Sequence, residues 1–126
     1  MKWLSEEQLI WIHSRLLKAT ASAEGIREAG LISSALAAPL GSFGGVELYP
    51  TTVEKAVRLG CGLVQNHPFA DGNKRIGLLA MLTVLSLNGI RLTATQPDLS
   101  SLFWGLAGGT LHYEDALRFV RTHTNG

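Results

Sequence analysis

Only one residue in this 126-residue chain is a cysteine, Cys61, so no internal disulfide forms and a reducing cytosol suits it. No Cys/His cluster has the spacing of a zinc site. Charged residues make up only 17% of the chain and its net charge is +1, too little for a broad nucleic-acid surface. Any phosphate recognition must therefore be local. The N-terminal stretch carries Glu6 and Glu7 in place of an apolar signal core, which argues against export and for a cytoplasmic protein. The longest apolar run, Ile76 to Leu87, is too short to span a bilayer, so no membrane association is expected. Strand signals are scarce, and repeats, low-complexity segments and internal linkers are absent.

What is present is apolar and helical. Hydrophobic residues make up 46% of the chain, which excludes disorder and suits one domain over residues 1–126 with a single core. Ser5-Glu6-Glu7-Gln8 is a capping box, with Leu4 placed to staple onto Leu9 and the Leu9, Ile12, Leu16 face turned inward. A short helix over 31–38 is stopped by Pro39. Gly41 to Tyr49 is irregular, resembles a flap, and offers Phe43 and Tyr49 as contact residues. Thr51-x-x-Glu54 opens a further helix that runs to Asn66, with Cys61 on its apolar face as a small hydrophobe. The Ile76–Leu87 run predicts a helix buried on nearly all sides, ending at Asn88-Gly89. Asp98 opens a fifth helix that ends at Gly108-Gly109, and Tyr113 to Arg121 makes a sixth. The predicted class is all-α. Trp3, Trp11 and Trp104 read as core or edge packing, since no basic residues interleave with them, and His13 reads as a packed histidine.

The nine residues His67-Pro68-Phe69-Ala70-Asp71-Gly72-Asn73-Lys74-Arg75 carry the chemistry. Pro68 pushes His67 out of the helical region, Asp71-Gly72 turns the chain, and Asn73 fits as the N-cap of the next helix. Lys74 and Arg75 then fall in a first turn, where the macrodipole disfavours cations unless an anion joins them. One reading is plain turn-and-cap chemistry with solvated charges. The other is a phosphate-handling site. In that reading His67 takes a proton from an attacking hydroxyl and Asp71 offers a hard oxygen ligand to magnesium. Gly72 and the amides after it form an anion nest, Arg75 offers a bidentate fork, and Lys74 adds a point charge. Arg27, in a glycine-flanked connection, either reaches the phosphates or braces the motif loop.

The pattern His67-Pro68-Phe69-x-Asp71-Gly72-Asn73-x-Arg75 resembles the signature of the Fic family, whose members transfer parts of nucleotides to hydroxyl side chains. Lys74 departs from the glycine most Fic enzymes have there, and Asn73-Lys74-Arg75 is similar to the Doc (death-on-curing) branch of toxin–antitoxin systems. Gly25-Ile26-Arg27, Leu36-Ala37-Ala38-Pro39, the stretch to Tyr49-Pro50, and Leu87-Asn88-Gly89-Ile90 also resemble Doc-type sequences. The resemblance implies a compact six-helix fold with a flap-like loop. It implies His67 as general base, Asp71 on magnesium and Gly72 to Arg75 on the phosphates of ATP. It further implies phosphate transfer to a threonine of elongation factor Tu, and a cognate antitoxin with a disordered segment. Gly72 and Pro68 are the Fic-like parts of the motif, and they keep nucleotidyl transfer as the alternative. A non-catalytic anion-binding module is the rival from another class, although it needs neither His67 nor Asp71. Thr20-x-x-x-Glu24-Gly25 loosely matches the pattern of self-inhibiting Fic proteins, and chance is the preferred account of it.

Overall fold

The computed structural model describes residues 1–20 and 25–124. Six helices follow in order: α1 (Glu6–Thr20), α2 (Ala29–Ala37), α3 (Thr52–Asn66), α4 (Asn73–Leu87), α5 (Gln96–Gly108) and α6 (Tyr113–His123). A 3-10 turn over Ala38–Leu40 follows α2 and leads into a hairpin of β1 (Ser42–Phe43) and β2 (Val46–Glu47). That hairpin is the only sheet among the described residues, and the class is all-α as the sequence predicts.

Local chemistry explains the helix starts. Gln8 N–H donates to Ser5 Oγ at 3.1 Å and Ser5 N–H to Gln8 Oε1 at 2.9 Å, so the first capping box closes in both directions. Thr51 and Glu54 do the same for α3. Thr95 Oγ1 accepts from the Asp98 amide, so α5 starts at Gln96, earlier than Asp98 suggests. Pro39 sits inside the 3-10 turn, two residues past the end of α2.

Burial centres on α3. It packs against α2, α4, α5 and α6, and buries Ala56, Val57 and an unbroken run from Leu59 to Val64. The sequence predicts that α4 is buried on nearly all sides, but α4 leaves Leu78, Leu79 and Leu82 half-buried and Leu87 exposed. The α3–α4 crossing is made close by two glycines. A Cβ on Gly77 would stand 2.8 Å from the Gly60 carbonyl oxygen and 2.9 Å from Val64 Cγ2. Burial pushes the Cys61 thiol up to about 11, against a smaller downward pull from Arg58, in keeping with an inert core residue. On α1 the buried face is Leu9, His13 and Leu17, one residue round from the predicted one, and Ile12 and Leu16 are half-buried. Trp3 packs at an edge and donates its indole N–H to the Leu36 carbonyl, whereas Trp11 and Trp104 are exposed. Among the described residues no helix is long and apolar enough to cross a membrane.

Candidate functional site

The loop 67–72 leaves α3 through a left-handed residue. His67 has φ 50° and ψ 55°, and among the described residues no other non-glycine residue has positive φ. Pro68 excludes the right-handed helical region for the residue before it, and histidine is among the residues that tolerate αL. The helix stops there and the imidazole is left exposed.

Three elements hold this loop. From the segment before α2, Arg27 Nε donates to the His67 carbonyl at 2.7 Å and its Nη2 to the Asn66 carbonyl at 2.9 Å. Arg27 thus braces the loop, the second of the two roles its sequence context allows. The same segment adds an antiparallel bridge between Ile26 and Phe69, with Arg27 N–H donating to Pro68 O and Ala70 N–H to Gly25 O. On the other edge Asn73 Oδ1 accepts from Phe69 N–H at 3.1 Å and its Nδ2 donates to Phe69 O at 2.9 Å. From α1, the His13 ring stacks on Phe69 with centroids 3.7 Å apart, and its Nε2 lies 2.7 Å from the Asp71 carbonyl oxygen. His13 is packed as expected, but sequence did not say that it packs on the motif. Its spacing of four from Leu9 and from Leu17 was the available signal.

Gly72, not Asn73, caps α4. Its φ of 81° suits glycine, and a Cβ there would lie 2.9 Å from Leu17 Cδ2. The Gly72 amide, expected in an anion nest, donates to Asp71 Oδ1 at 2.7 Å. The first-turn amides of a helix have no partner within it, so the start of α4 still presents donors to an anion.

The motif lines a cavity of about 320 Å³. Its walls are His67, Ala70 to Arg75 and, from α5, Ala107. His67 and Asp71 are exposed there, and Lys74 and Arg75 are half-buried. The Lys74 ammonium stands 3.1 Å from the centroid of the Trp104 ring, a cation–π contact that the sequence reading missed because α5 is distant in the chain. One space therefore gathers an imidazole, a carboxylate, two cations and a helix N-terminus. Among the described residues no group of three or more His, Cys, Asp or Glu side chains is placed to hold a metal ion. A lone carboxylate beside a cavity lined by two cations fits magnesium, which binds through one or two carboxylates and otherwise keeps water and substrate oxygens.

The flap-like segment is a hairpin turned by Gly44 and Gly45, both with positive φ. Phe43 is 83% exposed on it. Tyr49 is not exposed as expected: its ring meets Tyr113 edge-on at 5.4 Å, and the buried Lys55 ammonium binds its carbonyl and, at 2.9 Å, the Glu47 carboxylate. Burial, with Glu54 nearby, raises the Tyr113 phenol well above its ordinary range. The Thr20–Glu24 pattern lies outside the described residues, since the structure does not describe 21–24.

Residues 3–85, which take in the whole motif, match the Fic/DOC family. Over 69 residues the chain is 41% identical to Toxin Doc of Mycolicibacterium smegmatis (strain ATCC 700084 / mc(2)155). The match covers 55% of this chain and 53% of that protein, so it spans about half the length of the curated relative.

Proposed function

Because the chain belongs to the Fic/DOC family, we propose that it is the toxin of a toxin–antitoxin pair and acts as a magnesium-dependent phosphotransferase. Its substrates are ATP and a hydroxyl side chain of a translation factor, a threonine of elongation factor Tu, and its effect is translational arrest in the cytoplasm. The observation that carries this reading is the cavity at the start of α4, where His67, Asp71, Lys74 and Arg75 line one space. The partial match to a protein named Toxin Doc supports the toxin assignment.

In the reaction the His67 imidazole accepts the hydroxyl proton as the hydroxyl oxygen attacks the terminal phosphorus. The bond from that phosphorus to its bridging oxygen breaks, and the nucleoside diphosphate leaves with the electron pair. Arg75 and the N-terminus of α4 hold phosphate oxygens by charge-assisted hydrogen bonds. Asp71 would hold magnesium, which when bound neutralises charge across the phosphates. Arg27, His13 and Asn73 fix the loop that carries His67 and Asp71 and touch no reacting atom. Lys74 favours terminal-phosphate transfer, because its side chain fills space and adds charge where a glycine would admit an inner phosphate.

The antitoxin is proposed to contribute a disordered segment that folds on binding. Exposed Phe43, Val46 and Leu48 on the hairpin offer it an apolar surface, as does a groove of about 440 Å³ lined by Leu4, Trp11, Ile12 and Leu87. Tyr49, turned toward Tyr113, contributes less to such a contact than Phe43. The test is to incubate the protein, magnesium and cell extract with ATP labelled on the terminal or on the innermost phosphate. Protein labelling from the terminal position is expected. Labelling only from the innermost position overturns phosphate transfer in favour of nucleotidyl transfer, and no labelling from either favours a non-catalytic anion-binding module.

A further inference from the structure

Lys74 and Trp104 belong to different helices and meet beside the cavity, which Lys74 lines and Trp104 does not. Lys74 is the second residue of α4 and lines the cavity, and its ammonium sits on the Trp104 indole. Trp104 lies on α5 one turn before Ala107, which lines the same cavity. The indole is 64% exposed although Leu102, Phe103 and Leu106 around it on α5 are buried. It is thus an aromatic side chain held outside the core, beside the motif.

A lysine in the first turn of a helix stands at the positive end of the macrodipole, here with Arg75 next to it. Among the described residues no carboxylate pairs with Lys74. The face of an indole attracts an ammonium through its quadrupole and carries no charge of its own. A carboxylate partner would neutralise the lysine and compete with an incoming anion. An aromatic face holds the side chain in place and leaves its full charge available. We infer that Trp104 is a positioning residue of the phosphate site: it fixes the Lys74 ammonium at the cavity wall, set in advance to meet the phosphates of the nucleotide. Fixing a flexible side chain before the ligand arrives lowers the ordering cost of binding. This inference rests on the anion-binding part of the function proposed above.

Calorimetric titration with ATP and with inorganic tripolyphosphate, both with magnesium, tests it on the folded protein and its variants. Trp104→Leu should bind tripolyphosphate about three- to tenfold more weakly, and Trp104→Phe, which keeps an aromatic face, should recover most of that loss. In a Lys74→Met background the Trp104→Leu change should have no further effect, since the two residues act as one unit. An equal loss in both backgrounds would show that the indole acts through the fold alone. Tighter binding by Trp104→Leu would mean that the ring parks the ammonium away from the anion. A loss for ATP but not for tripolyphosphate would assign the indole to the base. Each of these three results overturns the inference. Wild-type protein that binds neither ligand removes the anion site itself, and this inference with it. Tight wild-type binding that Trp104→Leu leaves unchanged removes only the role of Trp104.

Discussion

Asn73→Ala should loosen the motif loop from within, at a cost that two hydrogen bonds define. The Asn73 side chain accepts from the Phe69 amide at 3.1 Å and donates to the Phe69 carbonyl at 2.9 Å. The neighbouring peptides face the other way, toward Gly25 and Arg27, so among the described residues no other group serves Phe69's own N–H and C=O. Phe69 is 1% exposed. Alanine would leave a buried donor and a buried acceptor unpaired, each at about 1–3 kcal/mol. Water entering from the nearby cavity recovers part of this, which puts the expected loss at about 2–4 kcal/mol. Asn73→Asp keeps an acceptor for the amide and adds a carboxylate to a helix N-terminus, so it should cost roughly half as much. Equilibrium urea unfolding reads the stability, and hydrogen exchange of the Phe69 amide reads the loop directly. A loss below about 0.5 kcal/mol in the alanine variant, with the amide still protected, would refute the two-bond account.

Other expectations follow from the same geometry. His67→Ala should abolish transfer but leave nucleotide binding nearly intact, whereas Arg75→Ala should weaken binding by about 1.5–3 kcal/mol, and equal binding losses in calorimetry would contradict that division. Gly77→Ala should destabilise the fold by about 1–3 kcal/mol in urea, despite alanine's better helix propensity, because the added methyl meets the Gly60 carbonyl at 2.8 Å. Native Cys61 should resist thiol reagents. The folded chain retains the thiol proton up to about 11 while the unfolded chain loses it near 9.0, so stability should fall across that window and Cys61→Ala should flatten the fall.

Much of this molecule was legible in short-range chemistry. The Ser5–Gln8 and Thr51–Glu54 boxes mark the starts of α1 and α3, and Pro68 marks where α3 must stop. Each of those signals works within four residues. The misreadings needed tertiary knowledge. Asn73 has the right chemistry for a cap, but the left-handed Gly72 takes that position and frees the Asn73 amide for Phe69. The face of α1 was read one residue off because His13, a polar residue, sits where the core begins, on the Phe69 ring. Tyr49 follows a glycine-rich turn and so suggested exposure, until α6 supplied Tyr113 to cover it. Trp104 and Lys74 are thirty positions apart, and no periodicity reports that their helices bring them together.

If His67 drives transfer of a terminal phosphate to a hydroxyl of the translation machinery, that phosphate should be found on the target. Purified elongation factor Tu, incubated with the protein, ATP and magnesium and then mapped by mass spectrometry, tests it most directly. One phosphate on a threonine is expected with the wild-type protein and none with His67→Ala. A nucleotide adduct, an unmodified factor, or a phosphate that persists with His67→Ala would contradict it.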